Sequence, residues 1–175
     1  MKEAILTASI EVMALHGLNN WTVEEVANRA HCAKGLVNYH YRSKHDLLRA
    51  AAETVKDDRI ARRLAAVQAE GTQALDRLWG ALVSEVESGW FAAWLGLLAA
   101  EAPLRTASTL RPADAARLAR ALDKALGLNG GLALRGGLIH TALDGLALRL
   151  LQGEPAEAVQ GDFHRFWLAA LSDGD

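Results

Sequence analysis

Apolar residues along this chain recur at intervals of three and four, and a strict apolar–polar alternation appears nowhere. That pattern predicts helix throughout. Residues 3–16 place Ile5, Leu6, Val12, Met13 and Leu15 on one side, and Gly17 supplies a stop. "TVEEVANRA" opens with a capping box, in which Thr22 accepts from the Glu25 amide while Glu25 reaches back to Thr22. Val23, Val26, Ala27 and Ala30 form its apolar face. After a short break comes "KGLVNYHY". Ser43 and Asp46 in "SKHDLL" then repeat the capping signature and open a long helix running towards Ala69.

Beyond Gly71 the segments lengthen. Thr72 caps a helix with Leu75, Leu78, Trp79, Leu82, Val83 and Val86 in register. "WFAAWLGLLAAEA" follows and is ended by Pro103. Pro112 starts another helix, with Leu118, Leu122, Ala125 and Leu126 inward and Gly127 as its stop. "LNGG" is the loosest linker. An apolar helix over 132–152, a break at Gly153–Pro155 and a final helix to about Leu171 complete the chain. The expected fold is all-α, with a tight helix-turn-helix among three short N-terminal helices and a larger helical region behind. There is no repeat and no low-complexity tract.

Composition and the placement of charge narrow this picture. Apolar residues make up 51% of the 175, enough for a sizeable core. A single cysteine, Cys32, excludes an internal disulfide and fits a reducing compartment. "MKEAILTASIEVMALHG" is broken by Glu3 and Glu11, unlike a signal peptide. "LALRGGLIHTALDGLALRLL" carries Arg135, His140, Asp144 and Arg149, unlike a membrane span. The expected location is the cytoplasm, without membrane attachment.

The net charge of −2 does not by itself suggest nucleic acid. Its distribution does. Arg29, Lys34, Arg42, Lys44 and Arg49 face Asp46 alone between residues 29 and 49, with His31, His40 and His45 among them. A helix-turn-helix docks its second helix in the major groove while flanking groups grip phosphate. Lys34 and Gly35 open that helix where free amides and charge meet phosphate. Asn38 is able to read a base edge through its amide, most naturally adenine. Tyr39 and His40 can donate to phosphates, and Thr22 with the following amide can clamp the opposite strand. Lys44 at a helix N-terminus opposes the dipole, which suggests service outside the fold. The competing reading is a solvated basic surface with two half-buried tyrosines.

These residues carry a family resemblance. "WTVEEVANRAHCAKGLVNYHYRSKHDLL" resembles the DNA-binding domain of the TetR family, whose pattern approximates T-hydrophobic-x-x-(I/V)-A, then K-G-x-(L/V)-(Y/x)-Y-H-F-x-S-K-x-x-L. Thr22, Val26, Ala27, Lys34, Gly35, Val37, Tyr39, His40, Ser43, Lys44 and Leu47 match it, within residues 4–50. The resemblance implies a helix-turn-helix domain over 1–46 and a helical effector-binding and dimerisation domain over 47–175. It also implies operator contacts at Thr22, Lys34, Gly35, Asn38, Tyr39, His40 and Lys44. Three departures matter. His31-Cys32-Ala33 replaces a Gly-Val-Ser-like turn, so His31 must tolerate a glycine-type backbone and Ala33 has lost a cap. Asn38 stands where many members carry Tyr. The chain also starts close to the first helix, so minor-groove arm contacts are not expected.

"ALDGLALRLLQGEPAEAVQGDFHRFWLAAL" resembles the last two helices of many members, which form a four-helix interface between subunits. Its loose similarity is greatest to the branch containing the choline-responsive repressor of betaine synthesis. Helix 132–152 is apolar nearly all round, and Gly136, Gly137, Ala142, Gly145 and Ala147 permit close approach. Leu138, Ala142, Gly145, Leu146, Arg149, Phe163, Phe166 and Trp167 are the expected homodimer contacts, matching a palindromic operator.

The expected effector is small and largely apolar or cationic. It is expected between the helices starting near Thr72, Trp90 and Pro112, with the helix from Leu132 closing the far wall. Trp79, Trp90, Trp94 and Leu97 are candidate contacts, either as an aromatic cage or as plain core. His140 and Asp144 are further candidates, although an i, i+4 pair on an apolar helix more often satisfies itself. Glu85, Glu87 or Glu101 offsets a cation's charge if one points inward. Cys32 reads as packing rather than as a redox sensor.

No cofactor is expected. His31, Cys32, His40 and His45 fit no zinc spacing, and there is no Gly-rich phosphate loop or nucleophile elbow, so an enzyme is the weaker class. The remaining alternative is a helical ligand-binding or scaffold protein that does not bind DNA.

Overall fold

The computed structural model describes residues 1–17, 20–101, 111–132 and 135–172. The described residues are helical with short connections: α1 (Lys2–His16), α2 (Val23–Arg29), α3 (Lys34–His40), α4 (Lys44–Ala66), α5 (Thr72–Glu87), α6 (Trp90–Glu101), α7 (Pro112–Leu126), α8 (Gly136–Leu151) and α9 (Ala156–Ser172). The all-α expectation is met. None of these helices is long and apolar enough to cross a membrane.

The chain packs as two compact units. One holds Met1–Asp58 together with α6; the other holds Arg59–Glu87 and α7 to α9. Packing groups residues 44–58 of α4 and all of α6 with the N-terminal helices.

In the first unit α1 packs against α2 and α6, and α2 against α3. Ile5, Ile10, Met13, Trp21, Val26, Val37, Phe91 and Trp94 are fully buried. Gly17 ends α1 with φ 73, and its N–H donates to the Met13 carbonyl. Leu15, expected on the apolar face, is 68% exposed. Its neighbour Ala14 makes the contact instead, lying 3.3 Å from where a Cβ on Gly89 would sit. Leu15 is one helical step round from that contact.

In the second unit α8 is central and packs against α5, α7 and α9. Leu78, Leu82, Leu118, Leu122, Ile139, Leu143, Val159 and Phe163 fill its core. Gly127 takes the left-handed conformation that closes α7. The helix expected from residue 132 starts at Gly136, and Asp123 Oδ1 accepts from the Leu132 amide at 2.9 Å. The expected Pro103 stop lies outside the described residues.

Gly136 seats α8 directly on α7. A Cβ there would lie 2.5 Å from the Ala115 carbonyl oxygen, and the Ala115 backbone has no flexible tip to move away. Gly80, midway along α5 and exposed, has nothing within 4 Å of its own Cβ position. Urea unfolding separates the two. Gly136→Ala should lose about 2 kcal/mol or more through overpacking, while Gly80→Ala should gain about 0.5–1 kcal/mol from helix propensity.

Candidate nucleic-acid interface

The helix-turn-helix of α2 and α3, the expected DNA reader, is built from the caps outward. Thr22 Oγ1 accepts from the Glu25 amide at 3.2 Å, and Glu25 Oε2 accepts from the Thr22 amide at 2.7 Å. The Thr22 hydroxyl also donates to Glu25 Oε2 at 2.9 Å, so its proton is used within the protein. These bonds hold the Glu25 carboxyl below its usual pKa. The turn then bends through His31 at φ 52, the positive φ anticipated from the missing glycine. Ala33 is the N-cap of α3 and supplies no side-chain bond.

Val37 is the one fully buried residue of α3. Gly35 and Asn38 are exposed, and Tyr39 is 81% exposed with its ring edge-on to half-buried His40 at 5.3 Å. Lys34 lies 3.6 Å from Glu24 on the preceding helix. Thr22, Lys34, Gly35, Asn38, Tyr39 and His40 thus fall on α2, α3 and their caps within one unit.

Lys44 has an internal role that sequence alone does not reveal. Its Nζ donates to the Trp21 carbonyl at 2.8 Å and sits 4.2 Å from the centre of the Trp21 ring. The ammonium that opposes the α4 dipole is held by a π-face and a carbonyl from the start of the reader. Ser43 caps α4 as expected, its Oγ accepting from the Asp46 amide at 3.0 Å.

The second unit contains a buried polar cluster around two of the candidate ligand contacts. Arg59 Nε donates to Glu85, and Arg59 Nη2 donates to Asp144 at 2.7 Å. Arg63 Nη2 donates to the same Asp144 oxygen at 2.7 Å, and Arg63 Nη1 lies 3.0 Å from His140 Nδ1. His140 Nε2 is 3.4 Å from the other Asp144 oxygen. The anticipated His140–Asp144 pair therefore exists, but as part of a five-residue network. Arg59 and Arg63, one turn apart on α4, were missed; that spacing on a helix that must bury one face was their available signal. Of the carboxylates proposed to point inward, Glu85 is 4% exposed and Glu87 is exposed. The Glu101 side chain lies outside the described residues.

Trp79 packs on Phe163 in the second unit, with centroids 5.5 Å apart. Trp90, Trp94 and Leu97 belong to the first, where Lys56 Nζ lies 5.9 Å from the Trp94 ring centre. Leu146, Phe163 and Trp167, expected at a dimer contact, are turned into the protomer's own core. The α8 and α9 positions that remain exposed include Leu138, Gly145, Leu148 and Leu168, with Ala142, Arg149 and Phe166 half-buried. No group of three or more His, Cys, Asp or Glu among the described residues could hold a metal.

Burial, and next the Arg63 charge, lower the His140 pKa to about 4. Because Arg63 donates to Nδ1, the neutral ring carries its proton on Nε2. A histidine depressed below its ordinary value of 6.5 takes up a proton in the unfolded chain first. Stability should therefore fall as pH drops from 6.5 towards 4, by about 3 kcal/mol from this group. Denaturant titrations across that window check it: His140→Gln should show a shallower fall than the parent, and equal slopes would show that His140 contributes nothing.

The comparisons follow this geometry. Residues 5–51 match the family model for bacterial regulatory proteins, tetR family. No curated protein sequence matches the chain. A transcriptional regulator from a Rhodococcus species aligns with a TM-score of 0.72 and 24% identity, covering 99% of this chain and 97% of that one. A TetR-family transcriptional regulator from Streptomyces coelicolor aligns at 0.68 with 18% identity, over 99% of each chain. Another TetR-family regulator, from Marinobacter aquaeolei, aligns at 0.61 with 21% identity, over 96% and 94%. The chain carries a tetR-family N-terminal domain at residues 5–51, and its described helices share the fold of these transcriptional regulators along nearly their whole length.

Proposed function

We propose that this protein is a ligand-responsive transcriptional repressor that binds a palindromic operator as a homodimer and is released by a small-molecule effector. The observation that carries the reading is α3. This short helix is anchored inward by Val37 and leaves Asn38 and Tyr39 facing solvent beside a locally basic surface. A fold gains nothing from a tyrosine left 81% exposed, whereas a DNA backbone offers it an acceptor. Asn38 reads a base edge, and Tyr39, His40 and Lys34 grip phosphate. Gly35 lets the backbone come close, since nothing lies within 4 Å of its Cβ position. Thr22 and Lys44 reach phosphate by exchanging their internal partners, Glu25 and the Trp21 carbonyl, for it.

The dimer reading is supported by α8 and α9. Leu138 is 62% exposed and Leu168 67%, with Gly145 and Ala142 on α8 leaving room for close approach. Arg149 is held by Glu154 and Asp162 at 2.6 and 2.7 Å, which fixes its guanidinium beside that face. Half-buried Phe166 stands edge-on to the buried Trp167, ring centroids 5.2 Å apart.

In the second unit, the effector contacts are proposed at Trp79, His140 and Asp144. Glu85 and Asp144 already serve Arg59 and Arg63, so a cation recruited to them must displace a guanidinium. That favours an apolar effector; a cationic one would instead support placement in the choline-responsive branch. Release follows from population shift: the effector favours a spacing of the two readers that no longer matches successive major grooves.

Sedimentation at micromolar concentration should give a dimer; a monomer there contradicts the mechanism. Binding by two variants separates the roles assigned in the reader. Lys44→Ala should weaken all sequences alike and reduce the salt slope by about one. Asn38→Ala should cost about 1–3 kcal/mol and relax preference at one base pair per half-site. An unchanged base preference would show that Asn38 is not a base reader.

A further inference from the structure

Asp123, 6% exposed, ties down both ends of the turn that leads from α7 towards α8. Its main-chain carbonyl accepts from the Leu128 amide at 2.8 Å, and its Oδ1 accepts from the Leu132 amide at 2.9 Å. Between these anchors run Asn129, Gly130 and Gly131, all exposed. Gly130 takes φ 85, a conformation that other residues rarely adopt, so the turn calls for glycine there. Among the described residues neither Asn129 nor Gly130 has a hydrogen-bond partner.

An asparagine side chain is open to attack by the peptide nitrogen that follows it. That nitrogen is a weak nucleophile, and it is ordinarily engaged in a hydrogen bond and hindered by its own side chain. Gly130 has no Cβ, and its N–H is not engaged. The other described asparagines differ. Asn28 and Asn38 lie inside α2 and α3, ahead of Arg29 and Tyr39, whose amides belong to the helical ladder. Asn20 precedes the bulky and buried Trp21. Asp144–Gly145 offers a similar pair, but inside α8 and with the carboxylate held by Arg59 and Arg63.

We propose that Asn129 is a site of spontaneous deamidation, and that its product loosens the turn into α8. Base removes the Gly130 amide proton as the nitrogen attacks Asn129 Cγ; the side-chain nitrogen leaves as ammonia, and a succinimide closes. Water then opens the ring at either carbonyl. One opening leaves aspartate at this position. The other leaves isoaspartate, in which the main chain runs through the former side chain and is longer by a methylene. Both products add a negative charge to an exposed turn. The longer chain strains the two anchors on Asp123. Asp123 Oδ2 has no donor, so the Leu132 amide is the one hydrogen bond this buried carboxylate receives among the described residues.

The test incubates the full chain in warm, mildly alkaline buffer, folded and in parallel unfolded in urea, and follows it by tryptic peptide mass spectrometry. Residues 125–135 form one such peptide, between Lys124 and the cut after Arg135, and Asn129 is its one amide side chain. An exposed turn needs no opening to react, so folded Asn129 should convert within about threefold of the unfolded rate, and at least about tenfold faster than folded Asn38 in the peptide 35–42. Fragmentation should show isoaspartate among the products. The converted protein should melt about 2–4 °C below the fresh protein, the shift expected from one lost hydrogen bond. Asn129→Gln, whose longer side chain closes a ring less readily, should keep its melting temperature through the same incubation. The proposal is overturned if folded Asn129 stays intact while the unfolded chain converts, because the fold then protects it. It is equally overturned if the converted protein melts with the fresh one, or if Asn129→Gln loses as much on incubation.

Discussion

Two guanidinium groups buried on one helix constrain the second unit more than any other feature. Arg59 and Arg63 are 3% and 2% exposed, and a guanidinium does not shed its proton to escape burial. Each must be met by carboxylate, and Glu85 on α5 and Asp144 on α8 meet them. The requirement fixes which face α5 and α8 turn towards α4. It also sets the state of His140, which accepts from Arg63 and stays neutral. Replacing Asp144 alone would leave both guanidiniums short of a partner, a loss of about 3–5 kcal/mol for a buried pair. An apolar core of equal volume need not be less stable than the intact network, so its value lies in defining one arrangement of the three helices.

The reader solves the opposite problem. A recognition helix must leave most of its surface for its target, and α3 accordingly buries only Val37 in full. A helix of two turns is not stable alone. Its order comes from the capping box of α2, the backbone turn at His31 and the packing of α2 on α1. Lys44 contributes by bonding across to Trp21, which joins the start of α4 to the start of the reader. An ammonium on a carbonyl and an aromatic face can be drawn away by a stronger anion, which is what the proposed phosphate contact of Lys44 requires.

Local chemistry was legible in the sequence, and long-range pairing was not. The caps at Thr22 and Ser43, the stops at Gly17 and Gly127, and the positive φ of His31 each depend on residues within one turn. The start of α8 lies at Gly136 rather than residue 132, and the bond from the Leu132 amide to Asp123 is a long-range pairing that no periodicity records. Periodicity also gives a side chain's angle on its own helix but not the neighbour that covers it. Glu85 and Glu87 were therefore indistinguishable until Arg59 was placed beside one of them. The contacts proposed for the helix-turn-helix rest on motif and local charge; the buried Arg59 and Arg63 carried no such signal, since charged residues on a long polar helix ordinarily face water. Leu146, Phe163 and Trp167 were apolar enough for either core or interface, and the protomer's own packing claims them.

Salt-dependent binding of the intact protein to a duplex from the DNA flanking its gene tests the central claim most directly. Anisotropy from about 50 to about 300 mM salt should give a binding constant that falls linearly on a log–log plot, as phosphate contacts release counterions. The same duplex should bind more tightly than an unrelated one of equal length at every salt concentration, with two protomers bound per operator. Equal affinity for both duplexes, or no binding even at the lowest salt, would contradict the assignment of this chain as a DNA-reading regulator.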